Sequence, residues 1–403
     1  MSVIIKKTMV RKMRYSEFAI FAVSFSLMTN LAQAQESATT ITIGAHMPLT
    51  GAFARSGQSF NEGMQVAIKI CNATSPKFKL NLEVIDDESI PSKAVSAVEK
   101  LASEGAVAII GGYGSNIIGP ASAAANNLGK VYVTAGAVSE LLTQRGLRTF
   151  FRTNNNAGYL RGVSSFIASL KPTNGVSIVA STKEAPHLFA EELQKDLIAN
   201  DIKVNNHSFD PSITDFKPII NKIKLQDKTD IMMIAGYEND HIGIIRAAKL
   251  LKPNIKLIVG VYSLVTPKMN IDFPELMNNV TGTAFLPFPV AMNSAEGNIF
   301  SSTYAKLYKK EVEYQVVLSY TASIVLCEAV VRAAEAGTLD NGGLVDEMRK
   351  TDRESLQGRI KFDQSGDNPY FEVSIGQHQN DKINLIWPNK IANGHVIYPG
   401  VPW

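Results

Sequence analysis

Between Ala106 and Gly136 the chain reads AVAIIGGYGSNIIGPASAAANNLGKVYVTAG, and this stretch carries the residues best suited to hold an anion. Gly111, Gly112 and Gly114 allow a sharp turn without a Cβ penalty, and Ser115 then stands where a helix would begin, with Pro120 and an alanine-rich run behind it. The first N–H groups of a helix have no partner within it, so such a start is a ready site for a carboxylate or other anion. Ser115 also reads as a plain N-cap, and the two roles are compatible. The elements that must position this turn are strands. Val107 to Ile110 is a short apolar run of the kind buried on both faces, and Val131 to Thr134 is a second that ends in Ala135-Gly136. Adjacent turns at the carboxyl ends of parallel strands are where α/β sheets bind ligands.

Other chemistry finds little support. His46, His187, His207, His241, His378 and His395 fall in no HExxH pattern or other spacing that puts two ligands on one helix face. There is no GxSxG elbow and no Walker loop. GGYGSNIIG departs from GxGxxG because Ile117 stands where the third glycine belongs, so no dinucleotide cofactor is expected. Asp86-Asp87-Glu88 reads as a solvated acidic strand end. Neither an enzyme, a metal nor any other cofactor is expected.

Strand-like runs alternate with amphipathic segments. Strands are expected at Ile41 to Ala45 and Leu80 to Ile85, with helices at Phe60 to Cys71 and Ser92 to Ser103. This βαβα order means a parallel sheet with helices on both faces. The pattern then repeats. Helices are expected at Ala157 to Leu170, Ala185 to Asn200, Asp215 to Leu225 and Asp240 to Lys252. Strands are expected at Val176 to Ala180, Ile202 to Ser208, Asp230 to Ala235 and Leu257 to Val261. This second set predicts a second sheet with its own core. Beyond Gly282, Phe285 to Pro289 reads as extended. Helical patterns follow at Asn298 to Lys310 and Gln315 to Ala336, with Gly337 as the C-cap candidate. Arg359 to Asp363 reads as a strand, and Phe371 to Gln377 with Lys382 to Trp387 as a hairpin.

The first residues read as an export signal. Lys6, Lys7, Arg11, Lys12 and Arg14 precede the apolar run Phe18 to Met28, and Ala32-Gln33-Ala34 fits the small-x-small cleavage rule. Cleavage after Ala34 leaves 369 of the 403 residues, free in the periplasm. The whole chain has 40 Lys+Arg and 37 Asp+Glu, and removing five bases and Glu17 leaves 35 against 36. The basic balance thus belongs to the leader, and no nucleic-acid partner is expected. A chain this long predicts two domains. The two cysteines, Cys71 and Cys327, read as buried thiols, though an oxidising compartment permits a bridge.

Together these motifs resemble the leucine/isoleucine/valine-binding type of periplasmic solute-binding proteins, which serve ABC transporters. The resemblance runs over nearly all of Ile41 to Trp403. It rests on ITIGAHMPLTGAFARSGQSFNEG, DDES, IIGGYGSN, VTAG followed by SELLTQRGLRTFFRT, IAGYEND, GRIKFDQSGD and the final IWPNKIANGHVIYPGVPW. It implies an α/β fold of two Rossmann-like lobes with parallel sheets, joined by a three-stranded hinge, the type I periplasmic binding fold. Chain crossings are expected near Thr153, Ala284 and Asp363. Lobe 1 would be 41–153 plus 285–362, and lobe 2 would be 154–284 plus 364–403. The function implied is capture of an amino acid of branched-chain type, or a similar small carboxylate, by cleft closure. The partners implied are that ligand and an inner-membrane permease and ATPase complex, with the binding protein itself a monomer. A ligand sensor of the same fold is the alternative role.

The resemblance also implies site residues. Ser115 would grip a carboxylate through its N–H and hydroxyl, and Gly136 would add a backbone contact. The family threonine near the ligand ammonium falls at Val138, with Ser139 adjacent. The covering aromatic falls near Ala185, with His187 and Phe189 close by. Tyr237 keeps the tyrosine of the second lobe. The acidic partner of the ammonium falls at Tyr262, or at Ser263 with a slip of one. Ser89 and Gly114 stand where the family usually has a bridged cysteine pair. Arg55, in the first-strand loop, either pairs a carboxylate or is solvated. Tyr237 and Tyr262 are candidate ligand walls or core aromatics. A buried ammonium needs an anion. Either Glu238 or Asp240 supplies it, or the ligand lacks an α-ammonium and is an aromatic, hydroxy or keto acid, or a small amide.

Overall fold

Apolar runs too short for helices build two sheets, and the amphipathic runs between them cover the faces. In the computed structural model, which describes residues 38–285, 290–339 and 342–403, the first set comprises β1 (Thr39–Met47), α1 (Ala54–Thr74), β2 (Phe78–Asp86), α2 (Pro91–Ser103), β3 (Ala108–Gly111), α3 (Ser115–Asn127), β4 (Val131–Thr134) and β5 (Phe150–Arg152). These strands form a five-stranded sheet in the order β2-β1-β3-β4-β5. Strands β1, β3, β4 and β5 run parallel. Every residue of β3 and β4 is buried, as central parallel strands covered on both faces require.

The second set comprises α4 (Asn156–Leu170), β6 (Val176–Ser181), α5 (Glu184–Ala199), β7 (Val204–Phe209), α6 (Lys217–Lys222), β8 (Ile231–Ala235), α7 (Glu238–Leu251), β9 (Leu257–Gly260), α8 (Pro267–Asp272), α9 (Pro274–Met277) and β10 (Thr281–Phe285). Three further helices follow, α10 (Ala295–Tyr308), α11 (Tyr314–Glu335) and α12 (Gly343–Arg349). Then come the small antiparallel pair β11 (Asp352–Ser355) and β12 (Gly358–Lys361), and the hairpin β13 (Val373–Gln379) and β14 (Lys382–Trp387). The second sheet has the order β14-β13-β10-β9-β8-β6-β7. The expected hairpin forms one edge of this sheet. There β13 runs antiparallel to β10, and β14 antiparallel to β13. A tight turn at Asn380-Asp381, both at positive φ, reverses the chain between β13 and β14.

The expected separate core of the second sheet holds for one face only. Met232, Ile234, Val179 and Ile258 pack with Ile244 and Ile245 of α7 in their own cluster. Ile231, Met233 and Ile178 point the other way and join a core continuous with Ile43, Ile109 and Val133 of the first sheet. Strand side chains alternate faces, so one strand serves both clusters. Helix α11 packs on α1 and is buried along most of its length. It is long and apolar enough to cross a membrane, but 83% of its most apolar window is buried inside the protein. Cys71 and Cys327 sit in these two helices as buried free thiols. The expected leader at 1–34, and Leu286 to Pro289 of the expected extended stretch, lie outside the described residues.

Asp87 corrects the reading of the acidic strand end. It is fully buried, and its carboxylate meets His46 Nδ1 at 2.8 Å while His46 Nε2 meets the Tyr132 hydroxyl at 2.6 Å. A carboxylate is stable there because its imidazole partner is built into β1, so alternation along the strand brings the pair inside. Asp86, one residue earlier, takes the opposite direction and accepts the N–H of Leu49 and the hydroxyl of Thr50.

Candidate functional site

The carboxyl ends of β3, β4 and β5 face those of β8 and β9, and the loops that leave them enclose one aromatic chamber. Tyr113, Ser115, Ala135, Gly136, Val138 and Asn154 come from the first group of loops. Tyr237, which follows β8, and Tyr262, which follows β9, come from the second, and Tyr159 reaches in from α4. Phe60 of α1 and the first turn of α11 close the remaining side with Tyr314, Gln315 and Leu318. The space enclosed is about 20 Å³, enough for roughly one water. A ligand of amino-acid size therefore enters only as the walls part. A larger cavity of about 440 Å³ lies elsewhere, between α1, α10 and α11, and is lined in part by Arg353, which pairs with Glu296 and Glu328.

Ser115 is buried at the first position of α3, and Gly114 before it makes no side-chain cap. Ile117 and Ile118 both donate to the Gly114 carbonyl, while the N–H groups of Ser115 and Asn116 find no acceptor among the described residues. The Ser115 hydroxyl oxygen accepts from Ser139 N–H at 3.2 Å, which leaves its proton free to donate. Gly114 is at φ +95°, a conformation that disfavours any side chain, and its N–H donates to Gly136 O at 2.9 Å, tying the two turns together.

Gly136 lines the chamber in the turn after β4. Its N–H already donates to Thr134 Oγ1 at 2.9 Å, so it offers no free donor. What it supplies is closeness, since a Cβ there would stand 1.9 Å from Gly112 O. Val138 lines the chamber, and its carbonyl accepts Asn156 N–H at 2.9 Å. Ser139 stands behind Ser115 rather than in the lining. Its own hydroxyl is buried without a partner, and its carbonyl accepts Arg152 Nη1 at 2.6 Å.

Tyr237 and Tyr262 meet nearly parallel, at 6.2 Å between ring centres and 26° between planes. Tyr113 abuts Tyr237 edge-on at 5.7 Å, and Tyr159 abuts Tyr262 edge-on at 5.2 Å. Tyr262 is held at φ +76°, strained for a non-glycine residue. Two bonds fix it there: its N–H donates to Thr283 Oγ1 at 3.0 Å and its hydroxyl to Asn156 Oδ1 at 2.8 Å. Burial pushes the phenols of Tyr113, Tyr159, Tyr237 and Tyr262 above the ordinary tyrosine range, so all four are neutral. Asn154 is buried with its Oδ1 unpartnered.

Arg55 does not enter this chamber. It lines an adjoining space of about 180 Å³ with Lys183, Glu238 and Asp240. Its guanidinium pairs with carboxylates of the protein itself, that of Glu238 and, at 2.6 Å, that of Asp272. The Lys183 ammonium lies 4.5 Å from the Phe53 ring centre and 5.1 Å from that of Tyr237, and burial lowers its pKa. Burial raises the pKa of Glu238 and of Asp240, and the latter accepts Tyr237 N–H at 2.8 Å. Ser89 serves the first-strand loop, donating to Thr50 O and accepting Phe53 N–H.

Below the chamber, buried Arg152 binds both oxygens of Asp367 at 2.8 and 2.7 Å and Glu140 Oε2 at 2.6 Å. The other oxygen of Glu140 accepts Ala157 N–H at 2.9 Å, at the start of α4. Sequence reasoning singled out neither this cluster nor Tyr113, Asn154 and Tyr159. A signal existed for two of them: Tyr113 lies inside the glycine loop, and Asn154 opens an asparagine run just past a strand. Among the described residues no group of three or more His, Cys, Asp or Glu side chains is placed to hold a metal.

A family model described as periplasmic binding protein matches residues 40–382. A Leu/Ile/Val-binding protein, BraC3, from Rhizobium johnstonii is 28% identical over 365 residues, covering 89% of this chain and 97% of that one. The isoleucine complex of the substrate-binding protein LivJ from Streptococcus pneumoniae has the same fold, with a TM-score of 0.76 at 21% identity, over 90% of this chain and 100% of that one. A solute-binding protein from R. palustris solved with benzoate gives 0.76 at 18%, over 86% and 95%.

Proposed function

The chain belongs to the periplasmic binding protein family, and from that premise we propose that it is the solute-binding component of an ABC importer. It captures an amino acid of branched-chain type, or a similar small carboxylate, between its two sheets. The loaded form then docks on a membrane permease and ATPase complex. The observation that carries this reading is the open first turn of α3, with Ser115 buried at its tip and facing the chamber between the sheets. The names and ligands of the similar proteins, from Leu/Ile/Val to benzoate, support a small acid.

The lobes of this reading are 41–153 plus 285–362 and 154–284 plus 364–403. The leader at 1–34 delivers the chain to the periplasm, where it acts as a monomer. The ligand carboxylate accepts from Ser115 N–H and hydroxyl, with Val138 and Ser139 shaping that end. Tyr237 and Tyr262 supply the opposite wall. Only a ligand that binds the closed form better than the open one shifts the balance towards closure. Ring contacts of Phe53 and Tyr113 with Tyr237, and the Arg55 pairs with Glu238 and Asp272, run between the two groups of loops and favour the closed form. A micromolar affinity requires about −8 kcal/mol, within reach of a few charge-assisted hydrogen bonds and one buried apolar group.

The test is a thermal-shift screen of the mature protein against amino acids, aromatic and keto acids, amides and polyols. A binder raises the melting temperature by mass action. Stabilisation by small acids is expected, and stabilisation by polyols alone would refute the reading.

A further inference from the structure

We propose that the ligand of this chamber is an aromatic monocarboxylate that carries no ammonium group. The proposal rests on the reading that the Ser115 end holds a carboxylate, and it concerns the other end of the ligand. Among the described residues no Asp, Glu, Lys, Arg or His lines the chamber. The acids nearest to it are engaged or stand apart. Glu238 is paired with Arg55, and Asp240 accepts Tyr237 N–H. Glu184, in the first turn of α5, has one buried carboxylate oxygen without a hydrogen-bond partner among the described residues and acts on Tyr237 electrostatically, but it is not part of the lining. The Tyr262 hydroxyl is committed to Asn156.

An ammonium in such a space would keep its charge without a counter-ion, which burial strongly disfavours. The lining does offer one neutral acceptor in want of a donor, the buried Asn154 Oδ1. A ring hydroxyl satisfies that atom with a single bond, whereas an ammonium brings three donors and a charge.

The walls choose the body of the ligand. Tyr237 and Tyr262 lie nearly parallel with their ring centres 6.2 Å apart, Tyr113 meets Tyr237 edge-on and Tyr159 meets Tyr262 edge-on. Because the enclosed space is only about 20 Å³, any ligand must separate these rings, and a flat one separates them least. Ring–ring contacts of this geometry also add attraction beyond the area they bury.

Isothermal titration of the mature protein with matched pairs decides the matter. The pairs are hydrocinnamate against L-phenylalanine and isocaproate against L-leucine. Benzoate and para-hydroxybenzoate are added, with benzamide and phenethylamine as probes that lack a carboxylate. Each ammonium-free acid is expected to bind at least tenfold more tightly than its amino-acid partner, and the benzoates more tightly than isocaproate. Tighter binding of either amino acid overturns the proposal, and loss of that binding in Glu184→Gln would identify the counter-ion. Isocaproate binding above the benzoates overturns the aromatic part. Binding of benzamide or phenethylamine with no binding of any acid would instead refute the carboxylate reading itself.

Discussion

Glu313 precedes α11 and is buried, with one carboxylate oxygen accepting Lys268 N–H at 3.0 Å. Burial outweighs that bond, the Thr266 hydroxyl and the charges of Lys268 and Lys310, and pushes its pKa up to about 7 from the ordinary 4.5. A folded-state pKa above the unfolded one means that the folded protein prefers the protonated acid. The burial cost is therefore absent below a pH of about 4.5 and complete above about 7, so stability is lost as pH rises through this window. At about 1.4 kcal/mol per unit the whole effect is about 3 kcal/mol, of which about 2 kcal/mol falls between pH of about 5 and 7.5. Glu313→Gln keeps an acceptor for Lys268 and removes the charge. Urea unfolding of both proteins at the two pH values should show the variant gaining about 2 kcal/mol more over wild type at the higher pH. Other titrating groups cancel in that double difference. An equal gain at both values would refute the reasoning, because it would mean that Glu313 ionises in the folded protein no later than in the unfolded chain, so that burial does not raise its pKa.

Other perturbations follow from the same geometry. Arg152→Met leaves Asp367 and Glu140 without their cation and should cost about 3–5 kcal/mol, read from denaturant unfolding. Gly136→Ala sets a Cβ 1.9 Å from Gly112 O, so it should destabilise by about 1–3 kcal/mol and displace Ser115 enough to lose measurable ligand binding by calorimetry. Arg55→Ala frees Glu238 and Asp272 across the mouth of the cleft, and about a two- to fivefold loss of affinity is expected, smaller at high salt because the Arg55 side chain is one-third exposed.

Much of the fold is legible in the sequence because buried strands leave unbroken apolar runs. Val131 to Thr134 and Lys382 to Trp387 stand where expected, and most other elements lie within a few residues. What escapes does so for physical reasons. Phe150–Arg152 is only three residues long, and its arginine reads as surface until Asp367 and Glu140 are brought around it. Helices α8 and α9 are single turns begun by Pro267 and Pro274, too short for any periodicity. Asp87 reads as solvated because its partner His46 lies 41 residues away. In the site, the glycine turn marks Ser115 locally, but the engagement of Gly136 N–H by Thr134 and of Arg55 by Glu238 depends on which side chains meet after folding. The same holds for the tyrosine walls, since Tyr113, Tyr159, Tyr237 and Tyr262 come from four separate segments.

The claim that the start of α3 holds a ligand carboxylate is tested most directly by calorimetry of Ser115→Ala against wild type, using the tightest acid from the screen and its amide. Removing one hydrogen bond to a charged group should weaken the acid by about 1.5–3 kcal/mol, roughly ten- to a hundredfold, and leave the amide almost unchanged. Equal affinity of wild type and variant for the acid, with the variant still folded, would contradict the account.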